Sequence, residues 1–258
     1  MGGKTYVLSL PMRWVKRYQI QKGEELDVEE KENEIVVRTE NRTPKREADF
    51  DLSVLDRMLP RALSAIYKAG YNRVKIQYRT KEQMQKIEAT LRRTLVGFEV
   101  TKQGDGYVVV ECLAEAQKEE FENGLRRLFY SLEIMEKDLI QALRGHNKAL
   151  LRQVVEKDDQ NNRIADLCRR IVLSGDTKSL ESPVMLYYVI EQLERMGDMY
   201  KKIAYGAIDL PKKVDTDIVA MLEDIHQLLI VCRELYYDCD LERIEAFGKD
   251  LDALKKKI

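Results

Sequence analysis

Two groups of charged residues have the types and spacing to do chemistry. The first is cationic. Positions 1–23 hold five basic residues, Lys4, Arg13, Lys16, Arg17 and Lys22, and no acid, whereas positions 24–34 hold seven acids and one lysine. Cations fixed on one surface displace the counterions condensed on a nucleic-acid backbone, so such a run can hold phosphates. A two-fold dimer would double that surface. Basic runs are also common on ordinary solvated surfaces, and the charge pattern alone leaves both readings open. The formal net charge is only −1 over 258 residues, so any nucleic-acid surface must be local.

The second group is acidic. Glu191, Glu194 and Asp198 recur at i, i+3 and i+7, which puts three carboxylates on one face of a helix. Asp158 and Asn162 lie one turn apart on an earlier helix, with Asp159 beside them. Carboxylates converging from two adjacent helices can chelate a hard or borderline cation. The alternative is a solvated face whose acids pair with Lys201 and Lys202.

Other chemistry finds no support. The chain has no phosphate-binding G-x-x-x-x-G-K-[ST], no G-x-S-x-G and no H-E-x-x-H, and exposed helical carboxylates lack the burial that tunes an acid–base pair, so it is expected not to be an enzyme. Cys112, Cys168, Cys232 and Cys239 form no C-x-x-C pair, and read as reduced structural thiols in a cytoplasm. His146 and His226 have no second His or Cys at ligand spacing. No apolar run reaches the length of a membrane span. Trp14 has the size to pack a small dimer core.

The elements that must position these residues fall into three parts. Residues 1–46 read as a strand at 5–10, a short helix at 12–18 and a hairpin, a block too small to bury a core alone and therefore expected to dimerise. Residues 41–50 read as a linker. Residues 49–113 read as an αβαββ module: a helix over 52–69, a strand over 74–78, a helix over 81–95, and two strands flanking Gly104-Asp105-Gly106. From 115 to 258 the pattern is helical throughout, with breaks at Gly175, Pro183 and Pro211. Val189, Leu193, Met196, Tyr200 and Ile203 form an apolar stripe there, as in an antiparallel bundle.

Specific residues carry two resemblances. Ser9, Leu10, Pro11, Trp14, Gly23, Glu24 and Leu26 fall where the AbrB/SpoVT swapped-hairpin family has its S-[LI]-P-x-x-W and [IL]-x-x-G-[DE]-x-[LVI] patterns. The resemblance implies an intertwined dimer that binds DNA through Arg13, Lys16 and Arg17, with Lys4 behind them. Residues 155–164 and 193–204 resemble the two helical signatures of the PhoU family, D-x-x-x-[DN] and E-R-[IM]-[GA]-D-x-x-x-[NK]-I. That resemblance implies Asp158, Glu194 and Asp198 as ligands of a divalent-ion or iron/zinc cluster, with Glu191 and Asn162 in reach. Asn162 stands where an Asp is frequent, and Lys202 where an Asn is frequent. Residues 115–258 would then be one complete repeat and part of a second.

Together these features resemble archaeal phosphate-uptake regulators. The fold class expected is multi-domain α+β: a small swapped-hairpin β head, an αβαββ module and an antiparallel PhoU-like bundle. The function expected is a cytoplasmic homodimer, or higher oligomer, that binds DNA and regulates phosphate uptake. Its bundle would sense a metal, phosphate status or a protein such as a transporter ATPase or sensor kinase. The rival expectation is an adaptor that docks on such a protein without binding DNA.

Overall fold

The computed structural model of the chain describes residues 7–31, 33–39, 46–113, 118–174 and 182–257. The chain separates into two compact units, Met1–Glu47 and Ala48–Ile258. It is a multi-domain α+β protein, with small sheets toward the N-terminus and a helical bundle after them.

In the first unit Pro11 opens helix α1, Met12–Tyr18, which ends on Gln19 in the left-handed region. Strands β1, Asp27–Lys31, and β2, Glu34–Arg38, form an antiparallel hairpin with Val28 opposite Val37 and Glu30 opposite Ile35. The expected strand at 5–10 differs: residues 7–10 join no sheet, and 5 and 6 lie outside the described residues. Among the described residues of this unit no side chain is buried. Val7, Leu8, Met12, Val28 and Ile35 are exposed large apolar residues.

The second unit begins with a strand where the sequence reads as a linker. β3 is Glu47–Asp51, while 41–45 lie outside the described residues. Its period-two burial turns Phe50 onto the ring of Tyr71, 5.6 Å away. Helix α2 is Leu59–Lys68, not 52–69. Pro60 explains the shorter span, because a proline interior to a helix removes a donor and clashes with the preceding turn, whereas one in the first turn is tolerated. β4, Arg73–Gln77, follows, then helix α3, Lys81–Thr94. Thr80 and Gln83 close a capping box at the start of α3. β5, Phe98–Gly104, and β6, Tyr107–Cys112, turn through Gly106 at φ 71°. The sheet order is β3-β4-β6-β5, with β4/β6 and β5/β6 antiparallel. The module is therefore βαβαββ. Leu59, Leu63 and Tyr67 of α2, and Ile87 and Leu91 of α3, pack on Val74, Ile76, Val108 and Val110 of the sheet.

The bundle contains α4, Lys118–Gly145; α5, Lys148–Leu173; α6, Pro183–Ile208; α7, Thr216–Tyr237; and α8, Leu241–Lys255. Asn147 caps α5 by accepting from the amides of Ala149 and Leu150. Cross-helix pairs fix the directions. Ser131 with Asn161 and Asp138 with Lys157 run α4 against α5, and Arg169 with Glu191 and Lys201 with Asp158 run α5 against α6. Glu133 with Arg233 and Glu136 with His226 run α4 against α7. Each set is antiparallel. Phe121, Leu125, Leu128, Leu132, Met135 and Leu139 of α4 are fully buried, so α4 is the central helix. On α6 the buried stripe is Ile190, Leu193, Gly197, Tyr200, Ala204 and Ala207. Val189, Met196 and Ile203 of the expected stripe sit at its margin. A Cβ on Gly197 would lie 3.2 Å from the Leu132 side chain, so glycine there sets how closely α6 approaches its neighbours.

Candidate functional sites

The basic site is built on α1. Arg13 and Lys16 are three residues apart and both exposed, so they share one side of the helix. Arg17 is also a residue of α1. Trp14 and Tyr18 occupy another side, with ring centroids 5.2 Å apart. The first turn of α1 contains no acid. Lys4 lies outside the described residues. The helix thus offers the solvent-facing cations Arg13 and Lys16 beside an aromatic pair. Phosphate oxygens are the groups such cations hold.

The acidic site on α5 and α6 differs from a solvated face. Asp158 is fully buried. Its Oδ2 accepts from Asn162 Nδ2 at 3.0 Å and from Lys201 Nζ at 2.7 Å. That hydrogen bond holds the Lys201 ammonium above its usual range, against the burial that would lower it. Lys202, the other expected partner, is exposed instead.

About three turns further along α5, Arg169 gathers Asp166, Glu191 and Glu194, although its side chain is only 5% exposed. Nη1 donates to Asp166 at 2.8 Å, Nε to Glu191 at 2.5 Å, and Nη2 lies 3.4 Å from Glu194. Burial would lower the pKa of Arg169, but Glu191, Glu194 and Asp166 hold it raised. Burial raises the pKa of Glu194, and Arg169 opposes that shift.

Of the expected ligands, Asp158 faces Lys201, Glu191 and Glu194 face Arg169, and Asp198 is half-buried and close enough to Glu194 to act on its charge. Among the described residues no three His, Cys, Asp or Glu side chains converge in an arrangement that could hold a metal ion. Asp158 Oδ1 and Asn162 Oδ1 are buried without a hydrogen-bond partner. The contacts seen on this face are ion pairs.

The residues that organise the face are Asp166, Arg169 and Lys201, and the spacing of the acids does not mark them as its centre. A signal is nonetheless present. Arg169 and Arg170 are adjacent on a helix that is buried on most sides, and two arginines there must each find a partner. His226, which has no metal-ligand partner, takes a structural role instead: its Nδ1 lies 3.1 Å from the buried Glu136.

Comparison with known families follows the same division. The model for the antidote-toxin recognition MazE family, a bacterial antitoxin, matches residues 1–46. The PhoU domain model matches residues 125–207, from α4 to the last turn of α6. No curated protein and no solved structure matches the chain. The chain carries an N-terminal MazE/AbrB-like antitoxin domain and a PhoU domain, both of regulatory families. Among the described residues no helix is long and apolar enough to cross a membrane.

Proposed function

We propose that the chain is a cytoplasmic, non-enzymatic, homodimeric transcription regulator of phosphate uptake, like the archaeal regulators it resembles. The observation that carries the reading is the pairing of a MazE/AbrB-like head with a PhoU domain in one chain. The head supports it further. It presents Arg13 and Lys16 to solvent, and it leaves Val7, Leu8, Met12, Val28 and Ile35 uncovered. A unit of this size with no buried side chain among its described residues gains its core by pairing with a second copy. Dimerisation then presents two copies of α1 to one duplex.

In this reading the bundle receives its signal from a metal, from phosphate status or from a protein such as a transporter ATPase or sensor kinase. A partner acts by preferring one arrangement of the two heads over another, and DNA affinity changes by that preference and no more.

The test is fluorescence anisotropy on a labelled pool of duplexes, with mass by light scattering on the same sample. The wild-type chain is expected to be a dimer that binds. Arg13→Ala/Lys16→Ala/Arg17→Ala is expected to remain a dimer and lose binding. A dimeric wild type that does not bind DNA at low salt overturns the reading and favours the adaptor.

A further inference from the structure

Helices α7 and α8 lie after the stretch that the PhoU model covers. α7 packs on α4, and α8 rests on α7. Only Leu254 of α8 is buried. The helix nonetheless carries a second apolar stripe. Leu241, Ile244, Gly248 and Leu251 recur at spacings of three and four, so they share one face. Leu241 is 80% exposed and Ile244 is 43% exposed. Asp240 caps α8 by accepting from the Arg243 amide, which holds the turn that carries Leu241 and Ile244.

Gly248 sits in the middle of this stripe. A glycine inside a helix costs stability relative to alanine. Nothing within one copy calls for it, since a Cβ at 248 would meet no atom within 4 Å. A second helix crossing at that point gives the glycine a use, because two backbones come closest where neither carries a side chain.

The charges on α8 select which helix fits. Asp238, Asp240, Glu242 and Glu245 stand at its start with Arg243 as the one base among them, and Lys255, Lys256 and Lys257 stand at its end. This polarity suits the helix dipole. It also makes α8 complementary to an antiparallel copy of itself. With two copies crossing at Gly248, Asp240 and Glu242 of one lie beside Lys255 and Lys256 of the other, and Ile244 of one meets Leu251 of the other. Asp240, Glu242 and Lys256 have no ion pair within one copy among the described residues. A parallel copy would set acid on acid and lysine on lysine.

We propose that the face of α8 formed by Leu241, Ile244, Gly248 and Leu251 is a self-association surface, and that its occupant is α8 of a second copy, antiparallel and crossing at Gly248. The contact is two-fold, the same patch being used by both copies. It is separate from the pairing of the heads and does not depend on their binding DNA.

Pulsed electron resonance on the full chain tests it. Cys112, Cys232 and Cys239 are replaced by serine, and one spin label is attached through Asp252→Cys or, in a second protein, Lys256→Cys. In an antiparallel pair, residues separate along the axis by about 3 Å for each step away from the crossing point, with axes about 9 Å apart. Backbone separations of about 15 Å at 252 and about 26 Å at 256 are therefore expected between copies. Adding Leu241→Lys/Ile244→Lys, at exposed positions, is expected to abolish both distances while circular dichroism keeps its helical signal. Equal distances at the two sites, no distance between copies in this range, or distances that survive the lysine substitutions would each overturn the proposal. Pairing of the heads alone gives the second of these results, so the two contacts are told apart.

Discussion

Arg169→Met removes the guanidinium that three carboxylates share while keeping an apolar side chain in the same space. The arginine side chain is 5% exposed, and Asp166 is 8% exposed. Removing one partner of a buried pair costs about 3–5 kcal/mol, because the other charge is left uncompensated. Two features place this site at the low end, about 3 kcal/mol. Asp166 keeps Ser64 and Lys68, and Glu191 and Glu194 are partly open to solvent that screens them. For a unit of this size that loss is roughly 6–12 °C in Tm. It also depends on pH. In the wild type, burial already raises the pKa of Glu194 against the pull of Arg169. Without Arg169 the folded pKa rises further, so the folded variant binds protons more readily than its unfolded chain. Its stability then falls as pH rises through that window, and protonated acids at lower pH need no counter-ion. The deficit relative to wild type should be largest at pH 7 and smaller at pH 5. Urea unfolding followed by helical circular dichroism at both pH values reads this directly. A deficit under about 1 kcal/mol that does not change with pH would refute the reasoning.

Three further outcomes follow from packing and burial. A Cβ on Gly124 would lie 2.8 Å from Cys168 Sγ, so Gly124→Ala should destabilise by about 1–3 kcal/mol, and adding Cys168→Ala should return part of the loss in a double-mutant cycle. Burial pushes the Cys168 thiol up to about 12, so it should resist iodoacetamide at neutral pH until the chain unfolds, while the exposed Cys239 labels at once; mass spectrometry of the peptides decides. Burial raises the pKa of Glu136, with His226 and Glu133 beside it. Its contribution therefore declines as pH rises from the usual carboxyl range to its folded pKa, and Glu136→Gln should flatten that slope in urea titrations.

Much of the architecture is legible in the residues. Pro183 and Pro211 cannot continue a helix, and α6 runs between them. Thr80 and Gln83 announce α3, and Asp105-Gly106 announces the β5–β6 turn. β3 is not legible, because Glu47-Ala48-Asp49-Phe50-Asp51 buries little and only its place beside β4 makes it a strand. Pro60 could have corrected the start of α2, but the apolar period running through it hides the break.

The acidic face is legible as a cluster of acids and not as a set of pairs. Sequence spacing locates carboxylates on a helix face, yet which cation reaches Asp158 depends on how α6 lies against α5. Asp158 and Lys201 are 43 residues apart, and Ser64 and Asp166 are 102 apart. Periodicity within one helix carries no information about such partners. The uncovered apolar residues of the head have the opposite standing. Val28 and Ile35 are apolar residues of the hairpin strands, yet remain exposed in a single chain. In the proposed dimer their partner is the same segment of a second copy.

The most direct test of the proposed DNA-binding role is its salt dependence. Anisotropy titrations between low and moderate salt give the slope of log Kobs against log salt, which is about −0.9 for each phosphate neutralised on duplex DNA. In a dimer, Arg13→Ala or Lys16→Ala removes two cations at once. Steep salt dependence is expected for wild type, with a slope flattened by about 1.8 in each single variant. Binding that ignores salt, or a wild-type slope that survives both substitutions, would contradict a head that holds DNA through α1.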